Sequence, residues 1–337
     1  MKTANVSKVV PLLVAALLAG CWDESGGDAS EARGGVFESP AQWSDWSEPV
    51  NLGLPVNSDF ADVPGHVSKD GLSFYIFSGS ARGGGVGNLD LWVSRRDSVD
   101  DAWGTPQNLG TTVNSTLRDV NPTLSADEHR LYFASDRSGN FDLYVSYRQD
   151  KKDDFGWGTP ELLGSPVNSA ASEDTTLTMF EDEEGGDIVV YFSSNRRNPT
   201  LAGGGDFDIY ETRLLPDGTF GDVVLVEELS VEGHRDRMPA VRKDGLELFQ
   251  QTTRPGGLGG ADLWVSTRAS VSDPWAPPVH LGAPINSPTR AEGEQSNDGG
   301  PTLSRDGTTL YWASAFRTGN ATQQFDIWVS TRTKLKN

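Results

Sequence analysis

Apolar and aromatic residues recur along the chain in short alternating runs, separated by glycine, proline and aspartate. Such alternation predicts β-strands, and the turn-forming residues between the runs predict tight connections. The runs belong to five copies of one longer unit, marked by Asp, then Leu or Ile, then Trp or Tyr. The marked segments are 90–92, 142–144, 208–210, 262–264 and 326–328. Self-similarity at roughly 50 to 65 residues predicts a repeat fold whose units bury their faces against one another.

Each unit reads as four strands. The first begins with an aspartate, the second is apolar and aromatic as in Phe74–Phe77, and the third carries the marker. The fourth resembles the segment from Trp103 to Leu109, where Pro106 indicates an outer strand with one unpaired edge. An extra copy of this fourth strand, residues 46–52, precedes the first unit, while the last unit stops after its third strand. The sequence therefore predicts an all-β, five-bladed β-propeller over residues 46–332, closed by the N-terminal strand 46–52 completing the last blade.

The sequence motifs of the repeats resemble those of a known family. Segments such as Pro301-Thr302-Leu303-Ser304-Arg305-Asp306-Gly307 and Ser135-Asp136-Arg137-Ser138-Gly139-Asn140 are similar to the WD40-like repeat of TolB-type β-propellers. The resemblance covers about residues 46 to 332. It implies the propeller fold and a habit of binding, but no single reaction.

The N-terminus predicts export. Lys2 and Lys8 flank the start of the chain, and the apolar run Val9–Leu18 suits a signal-peptide core but is too short to span a bilayer. The run ends in Leu18-Ala19-Gly20-Cys21, which resembles the bacterial lipobox. That resemblance implies acylation of Cys21, for example with palmitate. It also implies anchoring in the cell envelope, and Trp22 after the cysteine favours the outer membrane. We expect residues 1–20 to be the signal peptide, 21–45 a flexible tether and 333–337 a tail.

The charge narrows the range of partners. The chain carries a formal net charge of −20, which argues against binding to a phosphate backbone. We expect the membrane, through Cys21, and an envelope protein or a glycan as partners, and no cofactor. The four histidines show no metal-binding spacing, so no metal site is expected. The oligomeric state is left open.

Repeated charged residues are the candidate site residues. One aspartate opens each first strand, one arginine follows each second strand, and one aspartate opens each third strand. The three sets are Asp62, Asp119, Asp174, Asp236 and Asp298; Arg82, Arg137, Arg196, Arg254 and Arg317; and Asp90, Asp142, Asp208, Asp262 and Asp326. A catalytic site needs unequal environments, whereas these sets recur in every unit. We therefore expect a structural role, with the aspartates bonded to loop amides or to arginines.

Two functional hypotheses remain. The preferred one is an envelope-anchored lipoprotein whose propeller is a non-catalytic module for protein or glycan binding or scaffolding. The alternative is a surface glycoside hydrolase or lyase using carboxylates at the propeller funnel, with Asp62, Asp119, Glu173 and Asp174 as candidates. An active site would break the five-fold symmetry, and the divergent fourth repeat, with Glu227, Glu228, Glu232 and Arg237, is where we expect the break.

Overall fold

The computed structural model describes residues 43–182, 186–197, 206–289, 293, 295–320 and 322–335. Cys21, the predicted signal peptide and most of the predicted tether lie outside these residues. Within them, no helix is long and apolar enough to cross a membrane.

In the described residues, twenty strands form five antiparallel four-stranded sheets, which are the blades of a propeller. The first two blades are β2 (Asp62–Val67), β3 (Ser73–Gly79), β4 (Leu89–Arg95) and β5 (Gln107–Asn108), then β6 (Asp119–Leu124), β7 (Arg130–Ser135), β8 (Asp142–Tyr147) and β9 (Glu161–Leu162). The third and fourth are β10 (Asp174–Glu181), β11 (Ile188–Ser194), β12 (Asp208–Leu214) and β13 (Val224–Leu225), then β14 (Asp236–Val241), β15 (Glu247–Thr252), β16 (Asp262–Thr267) and β17 (Val279–His280). The fifth is β18 (Asn297–Leu303), β19 (Thr309–Ala315) and β20 (Asp326–Thr331), with β1 (Val50–Asn51) as its outer strand. Short 3₁₀ helices cover Ser80–Arg82 and Glu227–Leu229.

The predicted five-bladed all-β propeller is confirmed. The innermost strands contact one another in the cyclic order β2, β6, β10, β14, β18 and back to β2. At the seam, β1 pairs antiparallel with β20, with Val50 opposite Val329. The outer strands are shorter than the sequence predicts, as in β5 against the predicted 103–109. Trp103 and Pro106 precede β5, because a proline nitrogen has no hydrogen for the ladder and the tryptophan is buried instead.

Tryptophans seal the blades against each other. In four blades, a tryptophan preceding the outer strand packs against the second strand of the preceding blade. The rings of Tyr75 and Trp157 are 6.3 Å apart, those of Tyr191 and Trp275 are 6.0 Å apart, and those of Trp46 and Phe249 are 6.2 Å apart. Trp103 belongs to the cluster that holds Phe74 and Tyr311, which spans the first and fifth blades. Most tryptophans in the repeats are therefore packing residues rather than a binding platform.

The central channel is narrowed by a kink in every innermost strand. In four blades the second residue after the strand's aspartate has positive φ: Asn121 (55°), Thr176 (43°), Met238 (51°) and Gly300 (59°). The pairing register with the second strand shifts at the same place, which is the pattern of a β-bulge. Neighbouring inner strands come so close there that a Cβ on Gly65 would lie 2.4 Å from Cγ of Pro122.

Candidate functional site

The face where the innermost strands begin holds the repeated Asp–Arg pairs. In the first blade, Oδ2 of Asp62 accepts hydrogen bonds from the amide (2.6 Å) and the hydroxyl (2.8 Å) of Ser58. Its Oδ1 accepts from the hydroxyl of Ser78 (2.5 Å) and from Nη1 of Arg82 (2.7 Å). Arg82 also donates to the carbonyl of Val56, so the pair fastens the loop that enters the blade.

The same pairing recurs in the other blades. The shortest Arg–Asp distances are 2.5 Å for Arg137–Asp119, 2.8 Å for Arg196–Asp174, 2.6 Å for Arg254–Asp236 and 3.9 Å for Arg317–Asp298. All five aspartate side chains have 0% exposure. Asp62, Asp119 and Asp174 therefore cannot touch a substrate without breaking these bonds, which leaves Glu173 as the remaining candidate of the four named for catalysis on this face.

Glu173 lies just before β10 and is 9% exposed. Its charge acts on the guanidinium of Arg237, at the start of β14, whose pKa is lowered to about 10 because burial outweighs this attraction. The Arg237 guanidinium lies 4.7 Å from the ring centroid of Phe207. At this corner between the third and fourth blades, the carboxylate of Glu173 therefore acts on a stacked cation, Arg237.

The aspartates that open the third strands form a separate set of contacts, mostly with the loops that precede them. The five repeated arginines pair with the first-strand aspartates and not with this set. Asp90 accepts from the amides of Val86 (2.6 Å) and Gly87 (2.9 Å), and Asp142 accepts from the hydroxyl of Ser138 (2.6 Å). The remaining members contact Leu258 and His280 (Asp262), Asn51 (Asp326) and Arg197 (Asp208). Burial raises the pKa of Asp208 to about 6, with Arg197 opposing the shift.

The histidines do not form a metal centre. Among the residues that the structure describes, no three His, Cys, Asp or Glu side chains are grouped closely enough to hold a metal ion. His129 and His234 contact backbone carbonyl oxygens, and His280 lies 3.2 Å from Asp262. His66 alone lines the channel. Its pKa is lowered to about 4 by burial and by the charge of Arg305, so its imidazole is neutral at pH 7.

The channel contains a cavity of about 150 Å³, which lies on the propeller axis. Residues from the second position after each first-strand aspartate to the turn after that strand line this cavity, so it occupies the end of the channel opposite the Asp–Arg pairs. Its polar lining includes His66, Thr178 and Thr302 in the walls, and charged residues from the turns between the first and second strands. All five blades contribute residues to this lining, so a residue that differs between the repeats changes one side of the cavity and not the others.

Glu128 is the clearest departure from symmetry in the cavity. The corresponding turns of three other blades read Lys69-Asp70-Gly71, Lys243-Asp244-Gly245 and Arg305-Asp306-Gly307, and each glycine has positive φ. The second blade places Glu128 at the glycine position, with φ of 61°, a conformation that side chains with a Cβ rarely adopt. Glu128 is 7% exposed, lines the cavity, and accepts a 2.5 Å hydrogen bond from the amide of Lys69 in the neighbouring blade.

The charges around the cavity are separated into two arcs. Glu128 on the second blade and Glu181 on the third form the acidic side. Lys69 on the first blade, Lys243 on the fourth and Arg305 on the fifth form the basic side. Since the first, fifth and fourth blades are consecutive around the ring, the three cations are neighbours, and we call them the basic arc.

The sequence does carry a signal for this site, which is the replacement of a turn glycine by Glu128 in the second repeat. The aspartates that recur in every repeat stabilise the fold. Glu128 differs from them because it occurs in one repeat, at a turn position where three other repeats have glycine. The break of symmetry expected in the fourth repeat stays a prediction. Glu227, Glu228 and Glu232 are exposed on the loop before β14, and none of them lines the cavity.

No protein-family model matches the chain, and no curated protein matches it in sequence. Solved structures do match. They include the α-L-arabinofuranosidase from Lactobacillus brevis (TM-score 0.56, 14% identity, covering 82% of this chain and 92% of that one). They also include a thermostable family-43 glycoside hydrolase (TM-score 0.53, 14% identity, covering 84% of this chain and 92% of that one). A third is the endo-arabinase from Bacteroides thetaiotaomicron (TM-score 0.53, 16% identity, covering 86% of this chain and 99% of that one). At these identities the likeness establishes the five-bladed fold, while membership of the TolB-type repeat family stays a prediction.

The comparisons overturn the order of the two functional hypotheses. The preferred hypothesis, a non-catalytic module for protein or glycan binding or scaffolding, is wrong as the first choice, because the solved propellers named above are glycoside hydrolases. Among the described residues, the carboxylates that line the axial cavity lie on the second and third blades. Unequal surroundings of this kind are what acid and base roles require.

Proposed function

We propose that the protein is a glycoside hydrolase whose substrate enters the axial cavity. The observation that carries the proposal is that two carboxylates on neighbouring blades, Glu128 and Glu181, line this one cavity. The similarity in fold to an arabinofuranosidase and an endo-arabinase supports a polysaccharide or oligosaccharide substrate. We further propose that acylated Cys21 holds the enzyme at the bacterial envelope.

Two carboxyl groups suffice for the reaction. One gives its proton to the glycosidic oxygen as the bond from that oxygen to the anomeric carbon breaks. The other, as a carboxylate, either takes a proton from the attacking water or attacks the anomeric carbon itself. In the second case water then displaces this carboxylate from the anomeric carbon and gives a proton to the first group, which now acts as the base. The net change adds OH to the anomeric carbon and H to the leaving oxygen.

The surroundings of the two groups suggest which role each plays. The Lys69 amide donates to Oε1 of Glu128 and so fixes the orientation of this carboxylate, which suits the base or nucleophile. Glu181, which is exposed at the end of β10, is then assigned the acid role because it is the second of the two carboxyl groups. The neutral imidazole of His66 and the hydroxyl of Thr178 supply uncharged hydrogen-bonding groups for sugar hydroxyls in the same cavity.

The test is turnover by the full chain. Arabinan, arabinoxylan, xylan and acidic polysaccharides are each incubated with wild type, Glu128→Gln and Glu181→Gln, and new reducing ends are measured. We expect each variant to lose at least about a hundredfold in kcat, since proton transfer and nucleophilic steps each contribute 10²–10⁴-fold. Glu128→Gln keeps an acceptor for the Lys69 amide, so its melting temperature should stay near that of the wild type.

Glu161→Gln is the matched control, because Glu161 is exposed on the outer strand β9 and does not line the cavity. It should keep full activity. Activity that survives in both cavity variants would refute the assignment of the two glutamates. Absence of turnover on every glycan, with a folded wild-type protein, would refute the proposed function.

A further inference from the structure

The basic arc stands out against the charge of the whole protein. The chain has a formal net charge of −20, yet the described residues that line the cavity include four Lys and Arg side chains and two glutamates. One of the four, Arg242, is bound to Asp244 and Glu247. The other three, Lys69, Lys243 and Arg305, have no ion pair within 4.0 Å in the part of the chain that the structure describes.

These cations are placed by the fold rather than scattered over the surface. Each is the second residue of the turn between the first and second strands of its blade, and these turns surround one end of the channel. Arg305 also acts on the interior, because its charge helps to lower the pKa of His66. Three like charges at one opening repel one another, and a bound anion would offset that repulsion.

We infer that the cavity accepts an acidic saccharide, one whose uronate carboxylate binds the basic arc while its glycosidic bond reaches Glu128 and Glu181. The inference rests on the proposed function and specifies its substrate class. The acidic side lies on the second and third blades and the basic arc on the fourth, fifth and first, so an acidic sugar would be held in one direction. The reverse orientation would place its carboxylate against the glutamates, where like charges repel.

The same charges predict that neutral pentose chains are not the best ligands. A neutral sugar accepts hydrogen bonds from the basic arc through its hydroxyl groups but does not neutralise the three cations. A uronate gains charge-assisted hydrogen bonds from ammonium and guanidinium groups. Because Lys69, Lys243 and Arg305 are exposed, each contributes modestly, and we expect the effect to come from the three together.

The experiment is equilibrium binding to the full chain carrying Glu128→Gln, which prevents turnover during the titration. The probes are a galacturonate pentasaccharide and its methyl ester, which has the same backbone without the charges. We expect the acid to bind at least about tenfold more tightly than the ester at low salt, and the difference to shrink as salt is added. Lys69→Gln, Lys243→Gln and Arg305→Gln should each weaken binding of the acid about threefold to tenfold, with little effect on the ester.

Lys151→Gln with Lys152→Gln is the control, because these residues are exposed and do not line the cavity. This pair should change binding of the acid by less than about twofold. Equal binding of acid and ester would overturn the inference, and so would an equal loss in the control. If neutral glycans are hydrolysed and charge makes no difference, the proposed function stands and the inference fails. If no glycan is hydrolysed but the acid binds through the basic arc, the assigned ligand class stands and the hydrolase assignment fails.

Discussion

The Asp–Arg pairs predict that Asp62→Asn weakens the fold and leaves the chemistry of the cavity intact. Both oxygens of Asp62 accept hydrogen bonds, two from Ser58 on one side and two from Ser78 and Arg82 on the other. Asparagine has one oxygen and one NH₂ group in the same volume. The NH₂ group of the asparagine must therefore point at hydrogen-bond donors, either those of Ser58 or those of Ser78 and Arg82, and the hydrogen bonds to those donors are lost.

The size of the effect follows from burial. The Asp62 and Arg82 side chains have exposures of 0% and 8%. Burial raises the pKa of Asp62 in spite of its hydrogen bonds and Arg82, so the loss comes from donors left without an acceptor more than from the charge. An unsatisfied buried donor costs about 1–3 kcal/mol, and breaking a buried ion pair costs about 3–5 kcal/mol. We expect a loss of about 4 kcal/mol in the free energy of unfolding, which lowers the melting temperature by roughly 10 °C in a domain of this size.

The assay is thermal and urea unfolding followed by circular dichroism, with activity measured well below the melting temperature of the variant. Asp97→Asn is the control, because Asp97 is exposed in the same blade. We expect folded Asp62→Asn to keep most of its kcat. A melting temperature within about 1 °C of wild type, together with loss of turnover, would refute the reasoning and make Asp62 a catalytic residue.

Three further predictions concern pH, inter-blade packing and the N-terminus. Burial raises the pKa of Asp298 to about 6, so between about pH 4 and 6 the folded protein binds a proton that the unfolded chain does not. The free energy of unfolding therefore falls as the pH rises through this range. The wild-type minus Asp298→Asn difference in unfolding free energy should fall by about 2–3 kcal/mol from pH 4 to pH 7.5, and a flat difference would contradict this. Glu247→Gln should cost about 3–5 kcal/mol in urea unfolding, because Glu247 binds the buried Arg242 and Arg332, and a cost below about 1 kcal/mol would argue against the pairs. Cys21→Ser should abolish labelling by radioactive palmitate and release the protein from envelope membranes. Continued labelling would mean that another residue is acylated.

The repeat determined the architecture from the sequence alone. Strand alternation, five third-strand markers and a displaced fourth-strand copy are local patterns, and each repeat carries the same instructions, so their agreement predicts the blade count. The fold-forming role of residues such as Asp62 also follows from repetition, because a feature present in every blade serves what every blade needs. The exact lengths of the outer strands did not follow, since they depend on how Trp103 and its equivalents pack against the preceding blade.

The axial cavity could be located only from the tertiary structure. Glu128, Glu181 and the basic arc are separated by long stretches of sequence, and only closure of the ring brings their turns to one opening. In the sequence, Glu128 is an unremarkable residue in a polar turn. In the structure it is a buried carboxylate at a position where other blades have glycine. The sequence determines what the five blades share. The positions where they differ acquire meaning only when the fold places them around a common axis, because distance and burial are properties of the closed ring.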